Sequence, residues 1–292
     1  PAVLDAGWAG RAAADHAALM ICAFIGTVIA VERAVALKAR WAWLAPAFSA
    51  LAGALLLLRG HGVAEWLFVA AGLVFLAVNG AIVAKQAAAH TVLLLASAVC
   101  WLVGNLLYAQ GFGRDAVVPW WFAFLVITIA AERLEMTRLT PRPPAAVHAI
   151  YAIIALMLAG GAMAGVTNEA TAGYAPALFG AALLLLALWL FRFDIARRTV
   201  RAEGLPRYMA VCLLGGYAWL AIAGVAWMLT AVTGAAAWDV AIHALALGFI
   251  VSMMLGHAPV ILPAVAGVKV AWGRWFYAPL VLLHLSFITR LG

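Results

Sequence analysis

The sequence predicts an all-α fold, a polytopic membrane bundle of about ten transmembrane helices, and three observations carry that prediction. Hydrophobic residues make up 68% of the 292 and charged residues only 10%, with a mean hydropathy of +1.09. A soluble domain carries about 25% charged residues, so no water-facing shell can be built from this composition. Apolar runs of the ~20 residues needed to cross a bilayer recur along the whole chain. The connections between them are short and polar or rich in Gly and Pro, as in Gly111-Phe112-Gly113-Arg114-Asp115 and Thr140-Pro141-Arg142-Pro143-Pro144. The same numbers exclude a disordered chain, a disulfide scaffold and a nucleic-acid-binding domain. The partner they imply is the lipid bilayer.

Taken in order, the predicted spans are 15–37, 41–59, 64–84, 89–111, 116–135, 145–165, 173–192, 207–231, 238–261 and 272–290, within one integral membrane domain covering 1–292. Of the 18 basic residues, Arg11, Arg59, Arg114 and Arg290 fall on the side of the N-terminus and fourteen on the other. Excess Lys and Arg mark cytoplasmic loops. The split therefore predicts a bacterial inner-membrane protein with both termini periplasmic, and it accounts for the net charge of +7 without an acidic partner. Trp8, Trp41, Trp43, Trp66, Trp120, Trp121, Trp238, Trp272 and Trp275 lie near predicted helix ends, where amphipathic rings settle, whereas Trp101 and Trp219 lie deeper, between helices. No signal peptide is visible, and a start at Pro1 implies that processing or truncation has removed an initiating Met. Cys22, Cys100 and Cys212 sit in apolar runs without metal spacing and read as packing residues.

An internal repeat is legible. Ala23-Phe24, Ile29-Ala30 and Glu32-Arg33 recur as Ala123-Phe124, Ile129-Ala130 and Glu132-Arg133, at an offset of 100 residues. The ninth span fits the same frame with Phe249 under Phe24, which sets His257 where Glu32 and Glu132 stand. Parallel four-helix repeats are expected: 15–111, 116–231 and an incomplete third at 238–290. Such repeats occur in transporters. Adjacent Glu and Arg do not face each other on a helix, so Glu32 is expected to pair with Arg133 and Glu132 with Arg33 across the repeat. Arg33 and Arg133 are also candidates to hold a haem propionate.

Ionisable residues inside a bilayer are functional candidates by default. His16, His243 and His284 are predicted on the outer side, His257 and His148 on the inner; His61 and His90 fall in or beside loops, where an ordinary solvated ring is expected. His243 and His257 are 14 residues apart, which in a regular helix is about 21 Å of rise and roughly 40° from eclipsed, one face carrying both. That spacing suits two haems stacked across a membrane, imidazole being a preferred iron ligand. Gly256 and Pro259 flank His257, so the helix is expected to be thin and bent beside a flat macrocycle. His16 and Met20, at i and i+4, pair imidazole with thioether, a set that suits copper or haem. An outer metal set of His16, Met20, His243 and His284 and an inner site of His257 with His148 are thus expected. Hydrogen-bonded packing, a proton path or a pH-sensitive gate are alternatives for the same rings. Asn79 and Asn105 are mid-helix amides expected to bond between helices. No GxSxG, P-loop or HExxH is present.

The run His16-Ala-Ala-Leu-Met20-Ile-Cys-Ala-Phe24 resembles the first helix of the NnrS family, and His243-Ala-Leu-Ala-Leu-Gly248 through Met253-Met-Leu-Gly256-His257 resembles its late helix. The resemblance covers about 40 residues. It departs from the family at Ala18, where a second His would stand, and in having fewer helices. It implies a polytopic protein distantly similar to the catalytic subunit of haem-copper oxidases, with haem b, copper and the nitric-oxide response as its chemistry and a redox partner protein or respiratory complex as its associate. The function expected is haem binding, with copper as a further metal, in electron transfer or nitric-oxide handling. A transporter of a small solute or metal, or a non-catalytic membrane subunit of a respiratory assembly, stands as the alternative.

Overall fold

The computed structural model describes residues 6–137, 143–166, 173–268 and 271–291, and among them every regular element is a helix. Arg138, Arg142 and Lys269 lie outside the described residues, as do the side chains of Trp8 and Arg290. Among the described residues nine helices are long and apolar enough to cross a membrane, which makes the chain a multi-pass membrane protein. The chain divides into two compact units, Pro1–Leu134 and Glu135–Gly292. The span that carries the second Glu-Arg copy therefore belongs to the first unit.

In the first unit a short helix α1 (Ala6–Ala14) precedes the spans α2 (Ala18–Leu37), α3 (Arg40–Arg59), α4 (Val63–Lys85), α5 (Ala89–Ala109) and α6 (Arg114–Met136). Its interior is aromatic. Trp101 stacks on Phe124 at 5.1 Å and Phe75 meets both rings edge-on, geometries that add to the area buried. The second unit contains α7 (Pro144–Ala164), α8 (Tyr174–Phe193), a single turn α9 (Ala196–Thr199), α10 (Leu205–Thr233), α11 (Ala235–Ala266, in three stretches given below) and α12 (Tyr277–Leu291). The tenth predicted span is thus a helix of 15 residues, shorter than a perpendicular crossing needs. Helices α8 and α10 touch backbone to backbone: a Cβ on Gly180 would lie 2.5 Å from the Gly224 carbonyl, and one on Gly224 would lie 2.7 Å from that of Gly180. Gly234 alone joins α10 to α11, at φ 64° and ψ −129°, a conformation closed to residues with a Cβ.

Two spans are not regular α-helices. Ala18–Gly26, at the start of α2, is π-helical, and so is Ala244–Val251 in α11, between Ala235–His243 and Ser252–Ala266. The cause is legible in the sequence. Small buried residues recur at every fourth position, as Ala18, Cys22, Gly26, Ala30 and Ala34 in α2 and as Ala244, Gly248, Ser252 and Gly256 in α11. A row of period four drifts by about +40° per step in an α-helix and by about −40° in a π-helix, so a π stretch followed by an α stretch brings the row back toward one line against its neighbour. In α11 that neighbour is α10, where Gly248 abuts Trp219 and Gly256 abuts Cys212.

Candidate functional site

The π-helical stretch changes the geometry of the histidine pair. A π-turn advances about 80° per residue against 100° in an α-helix, so eight residues accumulate a lag of about 160°. The expected sharing of one face by His243 and His257 is corrected accordingly. His243 precedes the first member of the small-residue row and His257 follows the last, so the two rings adjoin the α10 contact from opposite flanks.

Each ring is pinned in the same way. The Nδ1–H of His243 donates to the Asp239 carbonyl at 2.9 Å, with an Asp239 carboxylate oxygen at 3.2 Å. That of His257 donates to the Met253 carbonyl at 2.7 Å, and His257 is only 7% exposed. A carbonyl can only accept, so Nδ1 carries the proton and the lone pair of the neutral ring lies on Nε2. This is the second interaction that metal-ligating histidines make.

His284, on α12, is held in the opposite sense. Its Nδ1 accepts from the indole N–H of Trp219 at 2.7 Å, which assigns the proton of the neutral ring to Nε2, on the side of Gly215. His148 is exposed near the start of α7. In the first unit His16 and Met20 do share a face, but it is an outward one: both are exposed, in a row with Phe24 and Val28. Among the described residues no group of three or more His, Cys, Asp or Glu is arranged to hold a metal ion. A haem, which needs only one or two axial ligands, makes no such demand.

Pro259 lies inside the helix beside His257, but the thin place at Gly256 is filled by Cys212, whose Cβ lies 3.0 Å from where a Gly256 Cβ would be. The notch serves helix packing. Arg33, 8% exposed, places Nη2 at 2.8 Å from Glu132 and at 2.9 Å from Glu32. The ion pair across the repeat is present for Arg33 and Glu132. The expectation that neighbouring Glu32 and Arg33 stay apart is corrected, since the long guanidinium folds back onto the adjacent carboxylate.

A polar cluster that sequence reasoning passed over joins the α3–α4 connection of the first unit to Asp15 and Tyr108. His61, in the α3–α4 connection, lies 3.2 Å from the buried Asp15 carboxylate and hydrogen-bonds Glu65. The Tyr108 hydroxyl donates to the same Asp15 oxygen at 2.9 Å, and Glu65 also accepts the Gly62 N–H at the start of α4. The Glu65 hydrogen bond raises the proton affinity of His61 above its ordinary value; partial burial opposes this, and the charges of Asp15 and Glu65 add to the rise. The available signal was the i,i+4 spacing of His61 and Glu65. Deeper in the unit, the Asn105 side-chain carbonyl accepts from Trp121 at 2.9 Å and from Cys22 at 3.3 Å, while its amide donates to the Phe68 carbonyl at 2.8 Å. One amide thus links α2, α4, α5 and α6. Asn79 instead bonds the Phe75 carbonyl of its own helix.

Residues 4–292 match the family described as a domain of unknown function (DUF8744), and the chain belongs to that family. No curated protein and no solved structure matches the chain.

Proposed function

We propose that this DUF8744 protein binds haem of the b type in a bacterial inner membrane and works in electron transfer or nitric-oxide handling, with His257 and His243 as ligands of separate groups. One observation supports the reading most: the two imidazoles of α11 each commit Nδ1–H to a backbone carbonyl four residues back. That bond fixes ring orientation and strengthens Nε2 as a donor. His257 adds burial, which keeps water from a ligand atom. A bound haem supplies a one-electron iron couple whose potential follows its ligands and burial. The two rings are separated by roughly 20 Å of helix rise and by the π-turn, so no single metal serves both.

Under this reading both termini are periplasmic, as the charge split implies, and electrons come from a redox partner protein or respiratory complex. Copper at His16 and Met20 is a subordinate element, resting on their shared face. Arg33, committed to two carboxylates, is read as structural. His284 is not read as a ligand, because its lone pair is already engaged by Trp219.

The test is an optical spectrum of the purified protein, oxidised and then dithionite-reduced, with metal content measured alongside. Haem bands are expected. His257→Ala is expected to remove one spectral component and His243→Ala another, while the protein still inserts. His148→Ala, changed separately, decides whether that ring partners His257. Wild-type protein holding neither haem nor stoichiometric metal overturns the reading in favour of a transporter or a non-catalytic membrane subunit.

A further inference from the structure

Two segments far apart in sequence meet where α10 begins and α12 approaches. Tyr208, in the first turn of α10, packs its ring against Trp272 at 5.5 Å, Phe276 at 5.6 Å and Tyr277 at 5.2 Å. Above this aromatic floor lies a cavity of about 630 Å³ lined by Arg207, Arg274, Glu203, Trp272 and Tyr277. That is ample for a small-molecule group. Two arginines and one glutamate thus line it, and among the described residues neither Arg207 nor Arg274 has an ion pair or hydrogen-bond partner for its side chain.

We infer that this cavity binds the phosphodiester headgroup of an anionic phospholipid. The argument is one of charge, shape and level. Guanidinium forks match phosphate oxygens bidentately and are the preferred partners of that group. Arg207 is the third residue of the membrane span Leu205–Thr233, so the cavity opens at the end of the apolar segment, where headgroups lie. Trp272 and Tyr277 supply the amphipathic rings typical of that level. Basic pockets between helices at this level take such headgroups. Free phosphate shares the anion chemistry but brings no acyl chain to lie against the exposed apolar residues of the helices.

The experiment is a native mass spectrometry titration of the full chain in uncharged detergent with phosphatidylglycerol, with phosphatidylcholine, and with inorganic phosphate as competitor. Phosphatidylglycerol is expected to bind about tenfold more tightly than phosphatidylcholine, and the Arg207→Gln/Arg274→Gln variant to lose about that factor. Arg197→Gln/Arg198→Gln, outside the cavity, is expected to keep it. Should the glutamine variant fail to fold, Arg207→Lys/Arg274→Lys keeps the charge, removes the fork, and is expected to bind about threefold more weakly. Equal binding of the two lipids, an equal loss in the control variant, undiminished binding in the lysine variant, or displacement by millimolar phosphate overturns the assignment.

Discussion

The hydroxyl of Tyr208 donates to the carbonyl of Leu255 at 3.3 Å, and Leu255 is the residue whose carbonyl Pro259, four positions on and inside the helix, cannot bond. A side chain of α10 thereby satisfies an acceptor that a proline in α11 leaves open. Tyr208→Phe is expected to cost about 1 kcal/mol and lower the apparent Tm. In a Pro259→Ala background, where an N–H is restored, the same change is expected to cost less. Thermal unfolding of the four combinations measures the coupling.

The Arg33 trio predicts a one-sided penalty. Arg33→Met removes the guanidinium that Glu32 and Glu132 share and is expected to destabilise the first unit by about 3–5 kcal/mol, seen as lost monodisperse yield. Adding Glu132→Gln is expected to recover part of that loss.

His61 predicts a pH dependence of definite sign. The folded state holds its proton more tightly than the unfolded chain does, so the associated stability is fully present below the ordinary histidine pKa of about 6.5 and is lost as pH rises through the raised value. His61 is 57% exposed, which keeps the effect small. Apparent Tm recorded from acid to alkaline pH should decline across that window in the wild type and flatten in His61→Gln. Parallel curves would remove His61 as the source.

Gly224→Val tests the backbone-to-backbone contact of α8 and α10. Its Cβ would lie 2.7 Å from both the Gly180 carbonyl and the Leu184 amide nitrogen, backbone atoms that cannot swing aside. The helices must separate, at a cost of about 3 kcal/mol or more. Gly113→Ala, with open space around it, is the matched control.

Much of the fold follows from composition and run length, because a bilayer imposes one periodicity and one minimum length. The nine spans lie close to their predicted bounds, and the tenth fell short in helical length because Arg274–Phe276 forms a separate 3₁₀ turn before α12. The Arg33–Glu132 pair was readable from the repeat. The tautomers of His243, His257 and His284 were not, because each depends on which acceptor or donor the fold brings to Nδ1. His61 was hidden by its loop position, since its partners Asp15 and Tyr108 are 46 and 47 residues away in sequence. The small residues at every fourth position were in plain view, yet a regular helix was assumed, and that assumption misplaced His257 around its axis.

The π-helical stretch of α11 is a phase joint in an otherwise rigid rod. It stores, in effect, one residue more per turn than the helices on either side, and whatever lies beyond it is rotated by that surplus. Removing one residue within Ala244–Val251 would let the rod close to ordinary winding and turn His257 by about 60° relative to His243. The azimuth of the buried imidazole is therefore set by local winding as well as by the neighbours it packs against. Migration of the surplus along the rod would turn the residues it passes without any change in the helix ends.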